Sequence, residues 1–425
     1  MSMPPHLMAM FRSIAIQALL VAALGLPQKA IAQESFGLQP FGECRTGYWS
    51  STRNLDAVED VSSSTCFINL KLQPTENIRL AASARLSQAM ASSGSNFRGR
   101  LREAYAQADA GNISFKLGRQ IVVWGRSDRI SPTDVMSSRD FTARLPDDDE
   151  QRSGNDLATI RWQFAQDVAA TFHLGHFEAN VVPTGALPAN LIAIAAPRRA
   201  EFALKLDRAG EGVDFSLSYF DGFDKAARYS FVQSGLLGNF QSQYERMQMA
   251  GFDFATSSGR WTFRGEMAAF RLVPECVQCA SEALLSRKVQ RVVGGLDRDF
   301  FDTANINVQL FAVKRSNYES PAGLQGAQRL IADGLNRLNG EFAAIERGLT
   351  LRVSERFLNE QLKIEASGIF DLTNASGLLR TRINYAVNDQ VKLYAGFDSF
   401  RGKDQSLFGS RRKNNAAFVE LAVVF

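Results

Sequence analysis

The chain has 425 residues, of which 45% are hydrophobic and 22% charged, with a formal net charge of +4. That is too polar for a bundle of membrane helices, and after the N-terminus no run of about 18 apolar, uncharged residues occurs. The near balance of 48 basic and 44 acidic residues excludes a nucleic-acid partner, which would demand a strong basic excess.

The first element is a targeting segment. Arg12 supplies a positive start, Ser13 to Pro27 an apolar core, and Ala30-Ile31-Ala32 the small residues of a cleavage site. The pattern predicts a signal peptide over 1–32, cleaved after Ala32, and an exported single domain over 33–425. The apolar run is short for a membrane anchor, and no cysteine stands at the junction to carry a lipid. No Pro-, Ser- or Gly-rich linker divides the exported part.

From about residue 40 onward, apolar and polar residues alternate in segments of about ten, separated by turn residues. Eighteen segments centre near 44–53, 64–73, 78–90, 98–109, 113–126, 157–166, 168–180, 199–208, 213–222, 244–256, 261–272, 287–299, 303–315, 344–357, 361–373, 376–388, 390–401 and 415–425. Links after even segments are short, as at Pro74–Asn77 and Ala110–Asn112. Those after odd segments are mostly long, as at 127–156, 181–198, 223–243, 273–286 and 316–343. This parity predicts an all-β, transmembrane antiparallel barrel of about eighteen strands, or sixteen if one hairpin is misread. Its periplasmic turns are short, its outer loops long, and both termini are periplasmic.

The two strand faces differ in chemistry. Phe202/Leu204/Leu206, Val213/Phe215/Leu217/Tyr219, Ile306/Val308/Leu310, Leu349/Leu351/Val353, Leu362/Ile364 and Ile383/Tyr385 are expected to face lipid. Arg100, Arg102, Arg264, Glu266, Arg352, Arg356, Lys363, Glu365, Arg380, Arg382, Lys392 and Asp398 are expected to face inward. Arg or Lys turned to mid-membrane lipid would cost roughly 2–4 kcal/mol, so the charged face must look into a wet lumen. A soluble β-sandwich shows the same alternation with the faces reversed. Export, eighteen-fold repetition and an aromatic last residue favour the barrel.

Cys44 and Cys66 fall on the first two strands, and Cys276 and Cys279 in a later loop. Export permits disulfides, and the expected pairs are 44–66 and 276–279. A redox or metal reading of Cys-x-x-Cys lacks a second pair and a βαβ context.

Loop 127–156 is the expected constriction. It interleaves Arg126, Arg129, Arg139, Arg144 and Arg152 with Asp128, Asp134, Asp140, Asp147, Asp148, Asp149 and Glu150. Facing rows of acid and base set a transverse field that selects polar solutes. The basic residues of segments 14–17 outnumber the acids modestly, which leans the lumen toward anions, unless they only stiffen the wall by internal salt bridging. Within 316–343, Leu330, Ile331, Leu335, Leu338 and Phe342 recur at helical spacing and predict a short helix at the outer mouth.

No enzyme is expected. His173 and His176 lie three apart on a strand and point to opposite faces, and there is no G-x-S-x-G, H-E-x-x-H or P-loop. No metal or cofactor is implied. The expected activity is passive passage of small polar solutes. The alternatives are export of a polysaccharide or hydrophobic product with a periplasmic partner, and a surface-binding barrel with an occluded lumen.

Two stretches carry a family resemblance. Phe425, ending an alternating strand, resembles the assembly signal read by the barrel assembly machinery. Arg102-Glu103-Ala104-Tyr105, Leu117-Gly118-Arg119-Gln120, Trp124-Gly125-Arg126 and the following Pro132-Thr133-Asp134 resemble porin-like outer-membrane families around the alginate-export and basic-substrate specific porins, including porin-like families of unknown function. The similarity touches about a quarter of the chain. It implies an eighteen-stranded monomeric channel, set in outer-membrane lipid and lipopolysaccharide, with an inward-folded loop. By strict alternation Arg119 falls on the lipid side, and a bulge nearby would return it to the lumen.

Overall fold

The computed structural model describes residues 39–51, 60–91, 94–183, 187–188, 190–234, 237–273, 287–301 and 303–425. The expected signal peptide and the Cys276/Cys279 pair lie outside the described residues.

Eighteen antiparallel strands form one closed sheet. They are β1 (Gln39–Ser51), β2 (Asp60–Thr75), β3 (Ile78–Ala91), β4 (Gly94–Ala110), β5 (Ile113–Gln120), β6 (Asn155–Ala165), β7 (Val168–His176), β8 (Ala200–Arg208), β9 (Val213–Phe223), β10 (Arg246–Ser258), β11 (Trp261–Val273), β12 (Lys288–Phe300), β13 (Ala304–Ser316), β14 (Ile345–Phe357), β15 (Leu362–Asp371), β16 (Ser376–Ala386), β17 (Val391–Arg401) and β18 (Ala416–Val424). Each pairs with the next, and β18 returns to β1, from Glu43 opposite Val424 to Ser51 opposite Ala416. Closure gives every strand two neighbours, which lipid requires because it cannot hydrogen-bond a backbone.

The last residue is part of the seam. Gly42 and Phe425 exchange backbone hydrogen bonds of 2.8 and 3.0 Å. A Cβ on Gly42 would meet the Phe425 ring at 2.7 Å, so the glycine makes room for the terminal aromatic. Further up the seam Trp49 stacks on Phe418 with centroids 4.2 Å apart, and its ring N–H donates to Glu420 at 2.7 Å.

The faces sort as the alternation demands. Leu204, Leu217, Leu310 and Val419 are 48–63% exposed on the outer surface, whereas Asp253, Glu266 and Gln309 inside are at most 1% exposed. A soluble protein would bury the first set and solvate the second. An exterior apolar belt with a charged interior is the pattern of a membrane-spanning barrel. Cys44 and Cys66 stand opposite one another on β1 and β2, Cα atoms 4.0 Å apart, and are joined as a disulfide.

At the short-turn end, Gly111 supplies the positive φ of 62° that closes the β4–β5 turn. At the other end the links build a cap. Short strands Leu191–Ala193, Arg228–Ser234 and Leu237–Gln243 form a small sheet. A helix, α1 (Gly326–Asn339), packs beside it. The Asn339 side chain bonds both the N–H and the carbonyl of Tyr229, at 2.8 and 2.9 Å. Leu335 is buried beneath α1, but Leu330, expected on the same face, is 73% exposed.

One expected strand is wrong in extent. The alternation continues through Ile121-Val122-Val123, yet β5 stops at Gln120. Gly118 takes a φ of 122°, and a Cβ there would meet the Ala104 carbonyl at 2.3 Å. The backbone leaves the wall two residues later, after Gln120, where the N–H groups of Ile121 and Val122 go to the Glu103 and Ser137 side chains, and Trp124 is buried inside the barrel. The bulge also differs in place. It lies in β4, where Ser83 faces Glu103 but Ala84 faces Leu101, leaving Arg102 as the extra residue. Arg119 keeps the phase the alternation gives it and pairs with Asp156 at 3.5 Å and Glu178 at 2.6 Å.

Candidate functional site

The segment between β5 and β6 enters the barrel and touches its wall on several sides. Its first anchor is the Glu266 carboxylate on β11. That group accepts the N–H of Arg126 at 2.6 Å and of Ser127 at 2.5 Å, the Ser131 hydroxyl at 2.8 Å and the Thr133 hydroxyl at 2.9 Å. Gly125, at φ 87°, allows this approach, since a Cβ there would lie 2.5 Å from a Glu266 oxygen. Beside the anchor, Arg126 reaches the fully buried Asp253 of β10 at 3.1 Å. Trp124 and Met136 pack with Leu157, Ala203, Phe220, Met249 and Phe270, so the loop's apolar side fills the lumen along the β6–β11 wall.

The loop then crosses to the opposite wall. Asp128 meets Arg352 of β14 at 2.7 Å, and Arg129 meets Glu365 of β15 at 2.6 Å. Asp148 pairs with Arg380 of β16, and the neighbouring Arg382 donates to the Pro146 carbonyl at 2.8 Å. Glu150 forms a two-pronged pair with Arg45 of β1. Arg85 of β3 pairs with Asp140, while Arg100 and Arg102 of β4 donate to the Ser153 hydroxyl at 2.8 Å and the Arg152 carbonyl at 3.2 Å. Within the loop, Asp134 ties Arg152 at 2.6 Å to Arg139 at 3.3 Å, and Ser138–Arg139 pairs with Arg152–Ser153 as a two-stranded ribbon.

These contacts bear on charge. Burial would lift the Asp148 carboxyl, but Arg380 and Arg129 hold it below the usual carboxylate range. For Glu150 burial wins over Arg45, and its carboxyl is raised. Acid and base therefore touch where this loop meets the wall rather than face each other across open water. Most charge on the loop is spent on fixing its position.

The basic residues expected to face the lumen each find their own partner. Arg352, Arg380 and Arg382 line the luminal wall beside the loop, and the last two share Asp398, Arg382 at 2.7 Å. Lys363 pairs with Glu365 at 3.2 Å, Lys392 approaches Glu43 at 3.9 Å, Arg264 meets Asp297 at 2.9 Å, and Arg356 meets Glu360 near the turn end at 3.8 Å. Arg102 is different. Its direct contacts are the Arg152 carbonyl and, at 5.3 Å, the Phe67 ring, with the Glu150 and Glu103 carboxylates acting on it only from farther off. Asp147 caps a short 3-10 turn by accepting the Asp149 N–H, Asp149 itself pairs with Arg152 and is 74% exposed, and Arg144 is half-buried in the same loop.

Arg45, Arg85, Asp253 and Glu365 were not singled out as loop anchors by sequence. Each is one of many alternating inward residues, and only closure of the sheet brings it to the loop. The sole local hint is Arg45, a charge on a strand otherwise rich in small and aromatic residues.

No family model matches the chain, and no curated protein matches it. Among solved structures it is similar to OpdK of Pseudomonas aeruginosa, solved with vanillate, at 11% identity over 92% of this chain and 100% of that one, with a TM-score of 0.56. The fold is that of a porin barrel. A further structure of that protein, OccK1 (OpdK), gives 12% identity over 92% and 99% of the two chains and a TM-score of 0.55. A variant of the Rh. blastica porin aligns at 14% identity over 91% and 100%, with a TM-score of 0.43.

Proposed function

We propose that this chain is an outer-membrane channel through which small polar solutes diffuse, with a preference for anions, past a constriction built by the β5–β6 loop. The observation that carries the reading is the loop's attachment. Charged groups on β1, β3, β10, β11, β14, β15 and β16 hold it inside a closed barrel whose exterior is apolar. A segment fixed to facing walls narrows the lumen without relying on its own stability. Pore selectivity then follows from the charges lining what remains.

The anion preference rests on Arg102, which among the described residues forms no ion pair, and on Arg380 and Arg382, which share Asp398. Guanidinium groups bind carboxylates and phosphates through paired N–H donors. OpdK was solved with vanillate, an aromatic carboxylate, which supports the same reading. The finer kinship with alginate-export and specific porins rests on the Arg102–Tyr105, Leu117–Gln120 and Trp124–Arg126 stretches quoted above. Those stretches are the bulge, the end of β5 and the loop entry, so they encode loop position rather than solute identity.

Swelling of proteoliposomes in isosmotic solutes tests this. Benzoate should enter faster than arabinose, which is of similar size but uncharged. Equal rates would remove the anion preference, and no swelling from folded protein would remove the channel.

A further inference from the structure

The early departure of β5 leaves a gap in the wall. β4 pairs with β5 only from Ala104 to Ala110, while its β3 edge is paired up to Gly94. Among the described residues no strand pairs with the other edge of β4 over Gly94–Leu101. The lower end of that edge is closed by Arg119, which donates to the Leu101 carbonyl at 3.1 Å, and by Gly154, which donates to the Arg102 carbonyl at 2.9 Å.

Above this closure lies a cavity of about 570 Å³. Its lining takes Arg98 and Arg100 from the luminal phase of β4, and also Phe97 and Gly99 from the outward phase. Both faces of one strand can line the same cavity only because that strand has a free edge. Opposite stand Asp140 and Thr142 of the constriction loop and Val181–Pro183 of the β7–β8 link. The outer lip is apolar, with Phe97 67% and Val182 39% exposed.

The inner wall is cationic. Arg85 pairs with Asp140, and Arg100 lies 3.8 Å from Asp140 and 3.6 Å from Glu178. Arg98 bonds a neutral group, the Thr142 hydroxyl, at 2.9 Å. Asp140 and Glu178 thus serve Arg85, Arg100 and Arg119, and Arg98 is left with the neutral hydroxyl. Ser87 is nine residues above the start of β3, which at ~3.3 Å per residue and a tilt of about 40° is roughly 23 Å above the periplasmic rim. An apolar belt about 25 Å tall ends near that height.

We infer that this wall gap is a binding site for an amphipathic anion, a carboxylate or phosphate carried on an apolar body. The head would sit on Arg98 and Arg100 and the body on Phe97, Val181 and Val182. The volume suits a small amphiphile. The site opens at headgroup level, so the ligand could be a lipid of the outer leaflet or a free organic acid. The inference needs the barrel and its gap, and does not depend on ion passage through the lumen.

The test uses the full chain in nanodiscs of zwitterionic lipid, with retained barrel mobility on gels as the fold check. Equilibrium dialysis measures decanoate, dioctanoyl phosphatidate and inorganic phosphate. At least one amphiphile should saturate at one per chain and bind tenfold or more tighter than inorganic phosphate. Arg98→Ala should weaken it at least tenfold, Arg98→Lys should restore part of the loss, and Val182→Trp, from the opposite wall, should block it. Tighter phosphatidate assigns the site to membrane lipid, and tighter decanoate to a free acid. The proposal is overturned if neither amphiphile saturates, if inorganic phosphate binds as well, or if Arg98→Ala and Val182→Trp both bind as the parent does.

Discussion

Arg45 and Glu150, 105 residues apart in sequence, meet in a two-pronged ion pair in which Nη1 donates to Oε2 at 2.7 Å and Nη2 to Oε1 at 2.5 Å. The pair ties the first strand of the barrel to the tip of the inward loop, and Arg45 is further clamped by Glu43 and by the Tyr394 ring at 4.8 Å. Removing one partner of such a half-buried pair leaves the other charge uncompensated, at a cost of about 3 kcal/mol. Arg45→Ala should therefore free the loop tip and raise open-channel noise. Restoring neutrality with Arg45→Met and Glu150→Gln together should quieten the current again. A single variant as quiet as the parent would show that the pair does not hold the loop.

Glu266 accepts four hydrogen bonds below 3.0 Å from one short stretch of loop. Bonds to a charged acceptor contribute about 1.5–3 kcal/mol each, and are not additive. Glu266→Gln keeps the volume, removes the charge and forces one donor against the side-chain amide. Conductance should increase, and the urea midpoint of the barrel in detergent should change little, because the strands are held by their own ladder. A large fall in the midpoint with unchanged conductance would make Glu266 a residue of the wall rather than of the constriction.

Arg380→Ala with Arg382→Ala strips Asp398 of both its guanidinium neighbours and leaves Asp148 only Arg129, at 3.8 Å. Two exposed carboxylates in the narrow part should then turn the ion preference toward cations. Arg102→Ala, which unpairs no carboxylate, should produce a smaller shift in the same direction. Reversal potentials under a salt gradient read both, and an unshifted potential in the double variant would remove the assignment.

The outer cap should depend on pH. Burial, aided by Asp224 and Glu341 and opposed by Arg228 and Arg287, pushes the Glu245 carboxyl up to about 7. A folded-state value above the unfolded one means the proton stabilises the cap fully below the unfolded value near 4.5, and that contribution is lost as pH rises through about 7. Proteolytic nicking of the outer loops should therefore speed up as pH rises from about 4.5 to about 7 and level off above that. Glu245→Gln should flatten that dependence, and a steep dependence surviving in the variant would place the titration elsewhere.

Much of this architecture is written in local alternation. Phe202/Leu204 and Val213/Leu217 face out because a strand repeats every two residues, and lipid punishes any other phase. The short links repeat after every second strand, which fixes which end is which. The length of β5 was not legible, since Ile121-Val122-Val123 continues a strand pattern that the backbone leaves after Gln120 for side-chain acceptors, Glu103 and Ser137, set by the fold. The loop anchors were legible in type only. Asp128, Asp148 and Glu150 announce a charged loop, but their partners on β14, β16 and β1 are set by closure of the sheet, which joins residues hundreds apart.

Single-channel recording from the purified chain in a planar bilayer under a salt gradient tests the central claim most directly. A steady conductance whose reversal potential favours anions is the predicted result. No current from protein shown to be folded would contradict the account, because a loop that seals the lumen is not a constriction.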